Sequence, residues 1–438
     1  MIIIMTLNTK PRFLLSLKEV AGYYSALERG FTAIGVEAKL GAIKSHPFTY
    51  DFTSWHPLQR LLIALYSKTE IVSHPLLKKI YWLSYQYLIK PLYFLACLKR
   101  FDVFIFGAGE SFFKNHLDLF ILKLLGKTTI IVFHGSDARP PYLDKTKDNL
   151  SLTELANATL IMKKSIDKID KWATHIINAP ATSQFYRCQV INWLAIGIPF
   201  DSSAFRKTNL SPKISNNKTN SVPIILHSPS NASVKGTAII RKAINHLKSL
   251  NHAFQYIELQ ACSHSEVMAL LSQSSIVIDQ LYSDTPCAGF ATEACAMGKA
   301  VIVGGYEIEK VNETIEKSLR PPTQLIRPTF EALVEKIIAL LNNTDYCQLE
   351  GKKNQQFIEQ HWDVKAIANK FLAIINQTFP ASHMIHHCSP PIVGGVGYSL
   401  DEGSERLRAF IDQFGVEALC LQDKPELVDA ILQKIRHS

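Results

Sequence analysis

Three short segments put reactive or phosphate-binding side chains at the ends of apolar runs. In 279–305, DQLYSDTPCAGFATEACAMGKAVIVGG, an apolar run enters a loop holding Thr285, Pro286 and Gly289, and a helix is expected from Phe290 to Met297. Free amides at such a helix start suit a phosphate, and Glu293, expected in its first turn, suits a ribose diol. Glu293 fits equally well as an ordinary N-terminal-turn acid, with Gly298 as the helix stop. In 226–236, LHSPSNASVKG, a strand opens into a small-residue loop with Ser228 and Asn231 and ends on Lys235-Gly236. A Lys there neutralises a diphosphate while loop amides cradle it; otherwise it is a solvated Lys at a helix start. In 130–142, IIVFHGSDARPPY, His134 stands just past a buried strand, with Ser136, Asp137 and Arg139 behind it. His moves protons or hydrogen-bonds hydroxyls near neutral pH, but a lone His is often structural.

The elements that would position these residues alternate. Strands are expected at 11–17, 36–43, 101–106 and 128–133, with helices at 19–34 and 117–125. Gly107-Ala108-Gly109 follows the third strand. The alternation resumes with strands at 224–226, 255–260, 275–279 and 300–303 and helices at 237–250, 265–273, 290–297, 330–341 and 366–376. Strand, helix, strand repeated in this way predicts parallel, helix-covered sheets. The polar stretch RKTNLSPKISNNKTNSV at 206–222 predicts a linker. The expected domains are therefore 1–205, 223–378 and a small αβ extension at 379–438. Ligands in such sheets sit at the carboxyl ends of the strands.

Composition narrows the class. The chain has 438 residues, 47% hydrophobic and 19% charged, which excludes disorder as the main state. Its net charge of +9 is concentrated in residues 1–200, which hold 24 Lys+Arg against 14 Asp+Glu. That excess points to an anionic membrane, a polyanion or a phosphate-bearing substrate. None of the eight cysteines forms a C-x-x-C pair, so zinc-ribbon and redox motifs lack support and a cytosolic setting is expected.

In order and spacing, the three segments resemble the glycosyltransferase family 4-like proteins of the GT-B fold. EACAMGKAVIVGG is similar to the family's E-A-M-A-x-G-x-P-V-I segment, with Ala300 where Pro is usual. LHSPSNASVKG resembles its strand, loop and Lys-Gly. FDVFIFGAGES followed by IIVFHGSDARPPY resembles the acceptor side of a subgroup with H-G-S-D. EGKKNQQFIEQHWDVKAIANKFLAII resembles the family's closing helices, which pack back onto the first domain. The resemblance spans about residues 11–378. It implies two Rossmann-like α/β/α domains facing a cleft, the first for the acceptor and the second for the donor.

The resemblance further implies transfer of a sugar from a nucleoside-diphosphate donor, with retained anomeric configuration. The sequence has no Asp-x-Asp, which speaks against a metal-dependent reading and for phosphate neutralisation by protein groups, so no metal or other cofactor is expected. The acceptor would be a saccharide or a lipid-linked saccharide, in cell-surface polysaccharide or glycolipid synthesis. Lys235 would stabilise the departing diphosphate, Glu293 hold the ribose and His134 face the sugar and acceptor. Ser228, Asn231, Gly236, Thr285, Gly289 and Phe290 would line the donor; Gly109, Ser136, Asp137 and Arg139 would stand on the acceptor side. Two departures matter. Thr285, with Asp284 beside it, stands where the family has an acid eight positions before Glu293, and Ser230 stands where it often has an Arg. A saccharide- or partner-binding protein with little transfer, and a sugar-nucleotide epimerase, are the alternatives.

Between the motifs, residues 56–100 carry seven Lys+Arg and one acid, interleaved with Tyr81, Trp82, Tyr85, Tyr87, Tyr93 and Phe94. Residues 76–100 fit either an anionic inner-leaflet surface or an ordinary helical face with its aromatics turned inward. No spanning helix is expected, because charges and Pro91 interrupt the longest apolar stretch. No nucleic-acid motif accompanies the aromatics. In the extension, strands are expected at 392–396 and 416–421 and helices at 401–414 and 425–436. His383, His386, His387 and Cys388 place metal-ligand types together, without a second cluster. PIVGGVG at 391–397 faintly resembles the start of a sulfotransferase phosphate loop, but the residues after it depart from that pattern.

Overall fold

The computed structural model describes residues 10–43, 54–186, 189–202, 222–385 and 396–436. The expected linker lies outside these apart from Val222, as do His386, His387, Cys388 and the 391–395 part of the extension. The chain forms two compact units. The first comprises 1–137, 165–178 and 364–380; the second comprises 138–164, 179–363 and 381–438.

The first unit is built on parallel strands β1 (Phe13–Leu15), β2 (Ala38–Leu40), β3 (Val103–Gly107), β4 (Thr128–Val132) and β5 (His175–Asn178), in the order 5-4-3-1-2. β1 and β3 are buried along their whole length, as strands covered on both faces must be. The helix Tyr23–Ala33 buries Tyr24, Leu27 and Phe31, and Phe31 stacks on Phe13 at 4.3 Å. This helix starts four residues later than the pattern predicts. Glu19 is not in it; its buried carboxylate accepts from the amides of Val20, Tyr24 and Ser25, and so supplies the cap that Gly22 lacks.

The helix Val364–Ile375 belongs to this first unit and packs on Tyr23–Ala33. The approach is close: a Cβ on Gly30 would lie 2.2 Å from the carbonyl oxygen of Val364. The closing helix therefore docks where the family resemblance implies, and the boundary expected at 378 moves back to 363.

The second unit carries parallel strands β7 (Ile224–His227), β8 (Gln255–Glu258), β9 (Ile276–Gln280), β10 (Ala300–Gly304) and β11 (Gln324–Ile326), in the order 11-10-9-7-8. Its core joins Ile225, Ile276, Ile278 and Ile302 to Ile240, Ile244, Leu333 and Ile337 of the covering helices. Also in this unit, β6 (Val190–Asn192) pairs antiparallel with β12 (Met384–Ile385).

The C-terminal segment is not a separate domain but part of the second unit. The helix Leu400–Phe414 begins with a capping box of Ser399 and Glu402. Lys145 pairs with Glu402 at 2.9 Å, and the Tyr142 hydroxyl donates to the carbonyl of Leu419 at 3.1 Å. The strand expected at 416–421 is instead a 3-10 turn, Val416–Leu419, set between Gly415 at φ 77 and Cys420 at φ 57. Left-handed backbone at both ends leaves no room for an extended run. Of the strand expected at 392–396, the described Val396 forms an isolated parallel bridge with Asp144.

Candidate functional site

In the second unit, β7 and β9 are neighbours, so the loops at their carboxyl ends lie side by side. After β7, Asn231 caps the short helix Ala232–Lys235, its side chain accepting from the amides of Ser233 and Val234. That side chain is a cap rather than a free ligand group. Gly236 follows at φ 73, where a Cβ would press to 2.9 Å from Leu281. Only Gly tolerates both conditions, and this lets the loop lie against the chain leaving β9. The amide of Leu281 donates to the carbonyl of Lys235 at 3.1 Å.

Lys235 lies where the sequence reading places it, at the carboxyl end of β7. Its Nζ is 3.3 Å from Oδ1 of Asp279, a residue of β9 whose side chain is 1% exposed. Sequence reading missed Asp279 as a partner. A buried acid inside an apolar strand was the available signal, since it needs a counter-charge. Ser228 lies half-buried in the same loop.

The helix Gly289–Ala296 has no side-chain cap at its start. Its first amides lack intrahelical partners, and a Cβ on Gly289 would meet nothing within 4 Å among the described residues. Phe290 is the next residue of this turn. Glu293 lies in the second turn, because the helix begins at Gly289; the simple N-terminal-turn role is therefore corrected. Its carboxylate accepts from His264 Nε2 at 2.8 Å. That hydrogen bond raises the pKa of His264, with the Glu293 charge adding to it.

Thr285 lies in a loop tied by Ser283, whose hydroxyl donates to the Thr285 carbonyl and accepts from its amide. The Thr285 hydroxyl oxygen is buried and has no hydrogen-bond partner among the described residues. The neighbouring Asp284 does not take over as a free acid. Arg139 Nε and Nη2 bind its Oδ2 at 2.8 and 2.5 Å, and Arg139 Nη1 binds Asp144 at 2.9 Å. Arg139 is 6% exposed. It therefore belongs to the second unit, as a buried two-acid bridge, and not to an acceptor side of the first. Sequence spacing cannot show a pair 145 positions apart.

In the first unit, the ends of β1, β3 and β4 lie in adjacent positions. His134 follows β4 and its amide donates to Asp137 at 2.9 Å. Its Nε2 is 2.9 Å from the Tyr24 hydroxyl, and the rings of Tyr23 and Tyr24 stand edge-on to it. Burial, with a smaller push from Lys18, lowers its pKa to about 4, so the ring is neutral near pH 7. Gly109 follows β3 at φ 63, its Cβ position 3.6 Å from the Asp137 carbonyl oxygen. Ser136 is exposed beside them. Gly109, His134, Ser136 and Asp137 thus gather as expected; Arg139 does not join them, and Tyr24 is the partner that the sequence reading missed.

The basic, aromatic stretch folds as helices Pro57–Ile71 and Pro75–Leu83, a π-helical turn Ser84–Ile89 and the helix Lys90–Arg100. Its aromatic residues divide between two environments. Tyr85, Tyr93 and Phe94 are buried, whereas Leu76, Ile80, Trp82, Tyr87 and Leu88 are exposed, as are Lys78, Lys79 and Lys99. Lys90 is buried, its Nζ 5.8 Å from the centre of the Tyr85 ring, and so departs from the charged face. No described helix is long and apolar enough to cross a membrane. Among the described residues, no three His, Cys, Asp or Glu gather as metal ligands would. His383, from the tempting cluster, contacts Glu316 at 3.3 Å.

No family model and no curated protein matches the sequence. Solved structures do. A sucrose-phosphate synthase from Thermosynechococcus elongatus superposes with a TM-score of 0.51 at 14% identity, covering 85% of this chain and 99% of its own. A glycosyltransferase from Rickettsia africae gives 0.50 at 15% identity, over 85% of this chain and all of its own. The catalytic domain of starch synthase IV from Arabidopsis thaliana, bound to ADP and acarbose, gives 0.50 at 10% identity, over 85% and 100%. The fold of this chain is the two-domain GT-B glycosyltransferase fold.

Proposed function

We propose that the chain transfers a sugar from a nucleoside-diphosphate sugar to a saccharide or lipid-linked saccharide, with retained configuration and without a metal. The observation that carries this reading is the pairing of two loops at the carboxyl ends of β7 and β9. One presents the Lys235 ammonium; the other leads to the uncapped, open start of the helix Gly289–Ala296. A cation and free amides at adjacent strand ends suit a diphosphate, and Glu293 lies one turn further along for a ribose.

Lys235 would hold the two phosphates and offset the negative charge that grows on the departing diphosphate. The amides of Gly289 and Phe290 would bind the same group. His134, neutral and bonded to Tyr24, would accept from or donate to saccharide hydroxyls, with Ser136 and Asp137 beside it. A neutral ring with a pKa near 4 is a hydrogen-bonding group at pH 7 rather than an acid catalyst. The donor's phosphate ester is itself the activated group, so the task of these side chains is to bind it and stabilise the diphosphate as it leaves.

The exposed apolar and basic face of 76–100 would rest on an anionic inner-leaflet surface, which would bring the chain to lipid-linked acceptors in polysaccharide or glycolipid synthesis. The test is nucleotide release. Purified protein with UDP-, GDP-, dTDP- and ADP-sugars should free the nucleotide faster when saccharide or polyprenyl-linked acceptors are added. Release from no donor, with or without acceptor, would favour the saccharide-binding alternative.

A further inference from the structure

We infer that His264 is a positioning residue for Glu293, holding its carboxylate ready for the vicinal diol of a ribonucleoside diphosphate. The inference deepens the donor reading above and rests on it. A Glu side chain on a helix surface has rotamer freedom that is lost when a ligand fixes it. A bond that fixes it before the ligand arrives removes part of that cost from binding.

His264 is placed to do this. It is the first residue of the helix His264–Gln273, and the capping box of Ser263 and Glu266 fixes its backbone. Glu266, the acid nearest in its own helix, is occupied, accepting from the Ser263 amide and hydroxyl at 2.8 and 2.6 Å. From the facing helix, Glu293 Oε1 takes the His264 Nε2 hydrogen at 2.8 Å, and Glu293 is the charge that acts on the ring.

One engaged oxygen leaves three of the carboxylate's four acceptor positions, enough for two ribose hydroxyls. The pair also stays open, with the His264 side chain 49% and the Glu293 side chain 27% exposed. Contrast His227, fully buried between the Ile278 carbonyl and the Thr237 hydroxyl, which is a structural histidine.

Because the pair raises the His264 pKa, the charge-assisted bond is complete below the ordinary histidine value and is lost as pH rises through the raised one. Recognition of the diol should follow the same direction.

The test uses ADP, GDP and UDP, each beside its 2′-deoxy counterpart, titrated calorimetrically into native, His264→Ala and Glu293→Gln proteins at pH 6 and pH 9. Phosphate ionisation is common to each pair, so the ribose-to-deoxyribose affinity ratio isolates the diol. The native ratio should be high at pH 6 and fall at pH 9. In His264→Ala it should be about fivefold lower at pH 6 and the same at both pH values. A His264→Ala protein that keeps the native ratio and its pH profile overturns the inference, even where Glu293→Gln abolishes the ratio. If Glu293→Gln keeps the ratio, or no nucleotide binds, the donor reading fails and takes this inference with it. A merely structural His264 would lower the melting temperature and leave the ratio alone.

Discussion

The ammonium of Lys235 stands 3.3 Å from one oxygen of Asp279, and the other oxygen of that buried carboxylate has no partner among the described residues. Lys235 is thus both a cation at the carboxyl end of β7 and the counter-ion of a buried acid. Replacing it strands the acid. Lys235→Ala should lose about 1–3 kcal/mol of stability, and Lys235→Ala with Asp279→Asn should regain most of it. Urea unfolding of the two proteins checks this. An equal stability in both would mean that Asp279 does not depend on Lys235.

Arg139 bridges Asp144 and Asp284 with all three groups shielded from water. Arg139→Ala leaves two acids without their cation and should cost about 3–5 kcal/mol. Arg139→Lys should recover only part of that, because a point charge cannot reproduce the planar fork. Thermal melting of the three proteins decides the matter, and a wild-type melting temperature for Arg139→Ala would contradict the bridge.

Acid sensitivity should trace to two histidines of the first unit. Burial lowers His134 and His116 to about 4, and His116 is held between Ser111 and Ser165. Both folded values lie below the unfolded one near 6.5, so their contribution is complete above pH 6.5 and falls away as pH drops towards 4. Each should contribute about 2 kcal/mol to the loss between about pH 7 and pH 4.5. Unfolding of His116→Gln and His134→Gln at the two pH values should show a smaller difference than native protein does.

The exposed face at 76–100 predicts vesicle binding. Native protein should sediment with vesicles containing phosphatidylserine and less well with neutral ones. Lys78, Lys79 and Lys99 changed together to Gln should weaken that binding by about 3 kcal/mol at low salt, near 1 kcal/mol for each cation. Equal sedimentation of both proteins would remove the electrostatic part of this reading.

Where burial is continuous, the residue order alone makes the fold legible. The runs at β3 and β10 carry no polar side chain, those at β4 and β9 are led by Ile and Val, and all four are buried almost throughout, as helix-covered parallel sheets demand. The strand-end positions of His134 and Lys235 follow directly from those runs and from the one at β7. What stays hidden depends on distance along the chain. Asp279 lies 44 positions from Lys235, His264 lies 29 from Glu293 and Asp284 lies 145 from Arg139. No periodicity encodes such pairs. Glu19 misleads for a local reason: acid and apolar residues run on into the helix, and only the left-handed backbone at Ala21 and Gly22 separates the cap from it. At 416–421 the apolar Val416, Leu419 and Leu421 suggest a strand, but Glu417 and Ala418 are poor strand formers and the turn geometry prevails.

The measurement closest to the central claim is calorimetric titration of UDP, GDP, dTDP and ADP into the native protein and into Lys235→Ala/Asp279→Asn, the pair that keeps the buried charge balanced. At least one nucleotide should bind the native protein, and its affinity should fall about tenfold or more in the double variant, as expected when a charged hydrogen bond to phosphate is lost. Unchanged affinity in the double variant would contradict a diphosphate site at Lys235.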